Sequence, residues 1–431
     1  MLNTEKINSF TKPLGVRAVK IFQFTLFFFA LSLFVSKSGL MIFFVLGFLL
    51  SLPYINFSVF LKDKFVRFYF FTFSVFFISN ALSLGGFDSV KKAFISWPYF
   101  LIVFPLMVAV REEKNLKKYV VSGLFLGLFA AAVKSFLFLY DKGQLLNFNF
   151  EYMRAESFWD IGRWSTFTSL FCIGVLPFII YVRMKTSLKI ISISLLIVSF
   201  VCLILANSRA PLLLTTGVLI LEISFLIKNK VYLLGVSLLL VLGLAFTPML
   251  QKRIVSSFDL SFQNGEIVSK HASNTGRLAM WKVAWDYWNS HKLTPTGFDN
   301  YEGPLKSFLA DQTEEYRAKY TDVQFSYHDT HNSYLFLWIQ SGFVFTVLFI
   351  ALIFKMLLNS LKFTCLSFCK KTKCDALSIA VCLSIVFHIL LGFVYTSMVS
   401  YESITLFIAL WLSYFMKDSA LKGVDYVSAQ N

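Results

Sequence analysis

Apolar runs of about 20 residues, each long enough to cross the hydrocarbon core of a bilayer, recur from one end of this chain to the other. Short basic clusters separate many of them. Inside lipid a backbone must bond to itself, and runs of this length and spacing can do so only as helices. Composition agrees: 57% of the 431 residues are hydrophobic and 15% charged, more apolar than a soluble surface tolerates. The expected fold class is therefore an all-α polytopic membrane protein with about 12 transmembrane helices. The spans fall near 18–36, 39–61, 66–84, 94–110, 119–140, 164–182, 188–206, 210–227, 231–249, 333–358, 376–396 and 400–416.

The net charge of +16 follows the same pattern. Lys6, Lys12, Arg17 and Lys20 precede the first span, and later clusters such as Lys62/Lys64/Arg67, Arg111/Lys114/Lys117/Lys118 and Lys362/Lys370/Lys371/Lys373 occupy every second loop. The positive-inside rule then predicts cytoplasmic termini, a bacterial inner membrane location and no nucleic-acid partner. Val19 to Val35 is long enough to remain as a span, so no cleavable signal is expected. Of the six cysteines, Cys172, Cys202 and Cys382 fall in spans, while Cys365, Cys369 and Cys374 lie in or beside one cytoplasmic loop without the paired spacing of a zinc ribbon. No metal is expected.

Three parts follow: helices 1–9 over residues 1–249, a large periplasmic loop over 250–332, and helices 10–12 with a cytoplasmic tail over 333–431. A loop of about 80 residues exceeds what a connector needs, so function is sought there and in the three shorter segments on the same face.

Arg209 follows Asn207-Ser208, a capping pair, and precedes Pro211, which suits a first helical turn. A cation at a helix N-terminus opposes the helix dipole, so it calls for an anion: either a lipid phosphate or a substrate phosphate. Arg277 repeats the arrangement after Ser273-Asn274-Thr275-Gly276. The helix expected from Leu278 carries Trp281, Ala284, Trp285 and Trp288 on one stripe and is predicted to lie in the outer interface.

The run His328-Asp329-Thr330-His331-Asn332 ends the loop. With span 10 starting near Asn332, the residues His331, Leu335, Trp338 and Gly342 fall on one helical stripe, and Gly342 admits a close neighbour. A histidine so placed takes a proton from a sugar or water hydroxyl, with Asp329 or Asn332 orienting it; a structural pair or a weak metal site is the alternative. His271, His291, Asp299, Glu302 and Asp311 read as solvated, and His388 as a packing contact within span 11. In the loop 141–163, Arg154 is a third phosphate candidate, while Glu156, Asp160, Arg163, Phe158, Trp159 and Trp164 either clamp a sugar or sit at the interface. Lys134, Glu222 and Lys355 are the few charges within spans, and that scarcity argues against a proton-coupled transporter.

The joint order Ser208-Arg209-Ala210, Gly276-Arg277-Leu278-Ala279-Met280 and His331-Asn332 with Gly342 after it resembles the bacterial O-antigen ligases of lipopolysaccharide assembly. Phe345 stands where that family's pattern has Gly, Thr or Tyr. The resemblance implies an essential His331 and two outer arginines, Arg209 and Arg277. It implies a metal-independent, cofactor-free glycosyltransferase whose site faces the periplasm. The donor is a glycan on undecaprenyl pyrophosphate, the acceptor a sugar hydroxyl of lipid A-core, and membrane lipids surround both. On that reading Arg209, Arg277 and Arg154 bind the diphosphate, His331 is the general base, and His328, Asn332 and Gly342 support it. The nearest alternative is an O-antigen polymerase, which extends the glycan on its carrier. A protein O-oligosaccharyltransferase, a lipid-linked glycan flippase or transporter, and a non-catalytic scaffold are more distant.

Overall fold

The structure is a computed structural model and describes residues 16–55, 62–112, 116–144, 154–226, 261–263, 266–269, 272–291, 294–321, 325–369 and 376–422. Its helices, in chain order, are α1 (Val16–Val35), α2 (Lys37–Ser51), α3 (Lys64–Ala81), α4 (Gly86–Ser96), α5 (Tyr99–Glu112), α6 (Leu116–Asp141), α7 (Ile161–Tyr181), α8 (Thr186–Ala206) and α9 (Arg209–Leu226). After a two-strand antiparallel hairpin, β1 (Ser261–Gln263) and β2 (Glu266–Val268), come α10 (Ala272–Ser290), α11 (Glu302–Ala310), α12 (Glu314–Thr321) and α13 (Ser333–Ser341). The chain continues with α14 (Phe343–Cys369), α15 (Ala376–Gly392) and α16 (Ser403–Lys422).

Among the described residues, seven helical stretches are long and apolar enough to cross a membrane, and Ala376–Gly392 and Ser403–Met416 are shorter apolar helices. The protein is thus mainly helical and of polytopic membrane character. The span expected at 231–249 and both chain ends lie outside the described residues.

Two expected spans are broken. Residues 94–110 fall on α4 and α5, which meet at Trp97-Pro98, where proline removes a helical donor. Residues 333–358 form α13 and α14, separated at Gly342 with φ +84°. The expectation of one continuous stripe from His331 to Gly342 is therefore corrected: His331 precedes α13, and Gly342 ends it. The last span also starts at Ser403, not 400, leaving Glu402 in the preceding turn.

Side-chain caps set several starts. Asp63 accepts from the Phe65 and Val66 amides at 2.7 and 3.1 Å to open α3, and Asp160 accepts from Arg163 to open α7. The bundle core is aromatic. Phe73 stacks on Phe100 with ring centroids 4.2 Å apart, the Tyr69 hydroxyl donates to the Phe100 carbonyl at 2.6 Å, and buried Trp97 donates to Ser403 Oγ at 2.9 Å. Along α6, Gly123 and Gly127 sit four residues apart against α1, so close that a Cβ at Gly123 would collide with the Phe27 carbonyl oxygen.

The loop helices form their own small core, in which Val283, Ala284 and Tyr287 of α10 pack with Leu305, Phe308 and Leu309 of α11 and Ile339 of α13. The stripe that α10 buries is thus Ala279, Met280, Val283, Ala284 and Tyr287, not the tryptophans. Trp285 is 46% exposed, and Trp288 packs edge-on to Trp338 of α13. The helix also starts five residues before Arg277, so Arg277 is not at its N-terminus as expected. Residues 294–300 tie this layer to the bundle. Thr296 and Gly297 amides donate to the Ile339 and Gln340 carbonyls, both at 3.0 Å, while Leu84 and Gly85 amides donate to Pro295 and Thr296. The Asn80 side chain accepts from the Phe298 amide at 2.6 Å.

Candidate active site

His331 is placed by its neighbours in sequence. Its backbone is left-handed, φ 49°, and its amide donates to Asp329 Oδ1 at 2.8 Å, so the Asp329 side chain closes an Asx turn around it. Asn332 follows as N-cap of α13, accepting from the Tyr334 and Leu335 amides at 3.0 Å each. Thr330 is buried, and its carbonyl accepts from Trp281 Nε1 of α10 at 2.8 Å. The loop end is thereby fixed to α10 on one side and α13 on the other.

Asp329 joins three things. Beyond the amide, its Oδ2 lies 3.5 Å from His331 Nδ1 and accepts from Thr396 Oγ1 at 2.7 Å. Thr396 belongs to the turn between α15 and α16, which also meets α13 where Ser333 Oγ donates to the Tyr395 carbonyl at 2.8 Å. His331 Nδ1 is buried without a hydrogen-bond partner among the described residues. At 3.5 Å the ring and carboxylate are an ion-pair distance apart and not hydrogen bonded. Shortening this one contact would hold the proton on Nδ1 and leave the Nε2 lone pair free to act as a base.

The arginines continue from Asp329. Arg277, half-buried, has its pKa lowered by burial first and by the Arg209 charge second, while Asp329 opposes the shift. Arg209 is half-buried at the first turn of α9, and its Nη1 is buried with no hydrogen-bond partner among the described residues. The charge of Arg154 bears on Arg209 in turn. Arg154 is brought there by its neighbour Ala155, whose amide donates to the Leu205 carbonyl at the end of α8 at 3.0 Å. Asn207, left-handed with φ 54°, turns the chain from α8 into α9. Arg154, Arg209 and Arg277 form no ion pair among the described residues.

The structure therefore assembles Arg154, Arg209, Arg277, Asp329 and His331 into one electrostatically connected series. His328 is not part of it: the ring is exposed, and Nδ1 pairs with Glu302 Oε2 at 2.9 Å, so its support is to α11. Gly342 lies at the far end of α13, where a Cβ would meet Ser79 Oγ at 3.0 Å, so it shapes the helix end instead of touching the histidine. His388 is buried and bonds to Thr405, as a packing residue would. Among the described residues no three His, Cys, Asp or Glu side chains cluster as metal ligands, and Cys172, Cys202, Cys365 and Cys382 are free thiols.

Residues 193–350 match the family model described as O-Antigen ligase. That match covers 158 of the 431 residues. The matched segment contains Arg209, Arg277, His331 and Gly342, the positions singled out above. The match supports the O-antigen ligase/polymerase superfamily. No curated protein matches the chain.

Part of the candidate site lies outside the sequence motifs. Thr396 and Tyr395 come from a short turn between the last two helices; the only signal for them was that this turn shares a face with the loop. In the same turn the fully buried Glu402 lies 3.8 Å from Arg163 Nε and accepts from Ser400. Arg163 also pairs with Asp160 at 2.5 Å. Drawing the last span from residue 400 had hidden that carboxyl among apolar neighbours.

Proposed function

We propose that the protein is an O-antigen ligase that moves a glycan from undecaprenyl pyrophosphate to a sugar hydroxyl of lipid A-core on the periplasmic face of the bacterial inner membrane. The observation that carries this reading is the unpaired, mutually repelling arginine series ending beside Asp329 and His331. Arg209 and Arg277 are held half-buried with no ion pair among the described residues, which is unfavourable unless an anion completes the site. A diphosphate leaving group supplies that charge, and it grows as the sugar–phosphate bond breaks.

His331 Nε2 takes the proton of the acceptor hydroxyl, whose oxygen forms the new bond to the anomeric carbon. The bond from that carbon to the pyrophosphate oxygen breaks, and the lipid pyrophosphate leaves with the electron pair, held by Arg209, Arg277 and Arg154. Asp329 orients the imidazole and stabilises its protonated form. The reading keeps both termini in the cytoplasm and divides the chain into helices before residue 250, the periplasmic loop to 332, and the helices after it.

The test is lipopolysaccharide banding in cells lacking the native gene and given wild-type or His331→Ala protein at matched expression. Wild type is expected to restore polymer-capped lipid A-core, with polymer left on its carrier in the variant. Single-repeat capping in the variant assigns polymerase activity instead. Banding in the variant equal to wild type removes His331 from the mechanism.

A further inference from the structure

A second cleft opens on the outer-loop layer, away from the arginines. It measures about 330 Å³ and lies between the last turn of α10, with Tyr287 and His291, and the outward side of α11, with Ser307, Phe308 and Asp311; Leu84 closes one edge. The walls divide by chemistry. Tyr287 stacks on His291 with ring centroids 4.5 Å apart, and Phe308 stands edge-on to Tyr287 at 5.7 Å. Leu84, 56% exposed, extends this apolar side.

The polar side is unspent. His291 Nδ1 lies 3.0 Å from the Tyr287 carbonyl, which fixes the proton on Nδ1 and leaves Nε2 as an acceptor. Tyr287 is only 2% exposed, yet its hydroxyl has no hydrogen-bond partner among the described residues. Burial pushes its pKa up to about 12, so it remains a neutral donor. That hydroxyl is itself covered, so contacts to a ligand fall to the exposed polar groups around it. Asp311 is exposed and makes no ion pair among the described residues.

The cleft is also connected to the proposed active site. The buried Tyr301, which precedes α11, feels the charge of Asp329 and shares a small core with Tyr287. Glu302, at the start of α11, pairs with His328, three residues before His331. Nine residues of helical rise, about 13 Å, separate that pair from Asp311.

We infer that this cleft is a glycan subsite that holds one neutral hexopyranose unit away from the reacting bond. An apolar wall faces the C–H side of the ring, while Asp311, His291 Nε2 and the Ser307 hydroxyl meet its hydroxyls. The carboxylate at Asp311 excludes an anionic sugar. The inference rests on the proposed glycan chemistry and extends it to a part of the substrate remote from the transfer.

The test is saturation-transfer NMR on the full chain in nanodiscs, with the methyl glycosides of glucose, galactose and mannose as probes and methyl glucuronide as the anionic control. At least one neutral glycoside is expected to receive saturation. The Leu84→Ala, Ser307→Ala and Asp311→Asn variants, each checked for an unchanged melting temperature, should lower it by at least about fivefold. His331→Ala should leave it unchanged. No transfer to any neutral hexoside, equal transfer in all three variants, or equal transfer to the glucuronide overturns the subsite. Restored banding in cells without glycoside binding discards the cleft alone. Glycoside binding without restored banding discards the ligase reading alone.

Discussion

A β-carbon in left-handed backbone costs about 1–2 kcal/mol, and His331 accepts that cost. What offsets it is Asp329, which holds the His331 amide and stands beside the ring, itself fixed by Thr396. Removing the Thr396 hydroxyl leaves the carboxylate free to rotate, so Thr396→Val should lower turnover about tenfold with little change in KM for the donor, as measured on purified protein. A fall in KM alone, with turnover intact, would show that Asp329 does not depend on Thr396. Glu402 offers a pH reading. Burial raises its pKa to about 7, above the ordinary 4.5. The folded state then holds a proton that the unfolded state has lost, so the stabilisation is complete below about pH 4.5 and fades as pH rises through 7. The melting temperature of wild type should drop between pH 5 and 8, and that of Glu402→Gln should stay flatter. Equal slopes refute the buried-proton account. Spacing in the sequence singled out His331 and Arg209, because a histidine before a late span and an arginine at a helix start are local signals; Arg277 was singled out on the same ground, yet its helix starts five residues earlier, at Ala272. Thr396 gave none: its partner is 67 residues away in sequence and becomes visible only when two turns meet in space.

Helices here are set less by how apolar they are than by where they stop. The runs at 94–110 and 333–358 each read as one span, because hydropathy averages over a window and does not see a break. Pro98 was a legible warning at the first break. Gly342 was legible as a small residue, but not as one whose φ of +84° ends a helix. Placing a Cβ there imposes backbone strain of about 1–3 kcal/mol and presses on Ser79 Oγ, so Gly342→Ala should destabilise the protein by that amount and reduce transfer through displaced α13. A variant of wild-type stability would show that the break is not needed. At the other side of the bundle, Gly123→Leu should separate α1 from α6 and cost about 2–4 kcal/mol, read as loss of protease resistance in detergent. A leucine accepted there without loss contradicts the close approach.

Across the whole molecule the candidate site gathers positive charge that no ion pair cancels, since Arg154, Arg209 and Arg277 remain unpaired among the described residues. Such an arrangement is less stable empty than filled. Inorganic pyrophosphate should therefore raise the melting temperature of wild type by an amount that grows with its concentration and shrinks with added salt. Arg209→Gln should melt higher than wild type without pyrophosphate and respond little to it. The opposite order would mean that Arg209 has a structural partner. The joint at Gly342 bears on this surface as well. Hydrogen bonds from residues 294–300 anchor the end of α13 beside α3, ahead of the long α14. On the proposed function, a joint pinned on that side would let α14 lean as the bilayer thins or thickens while His331 keeps its aim, so that the proposed reacting centre is mechanically insulated from the membrane that carries it.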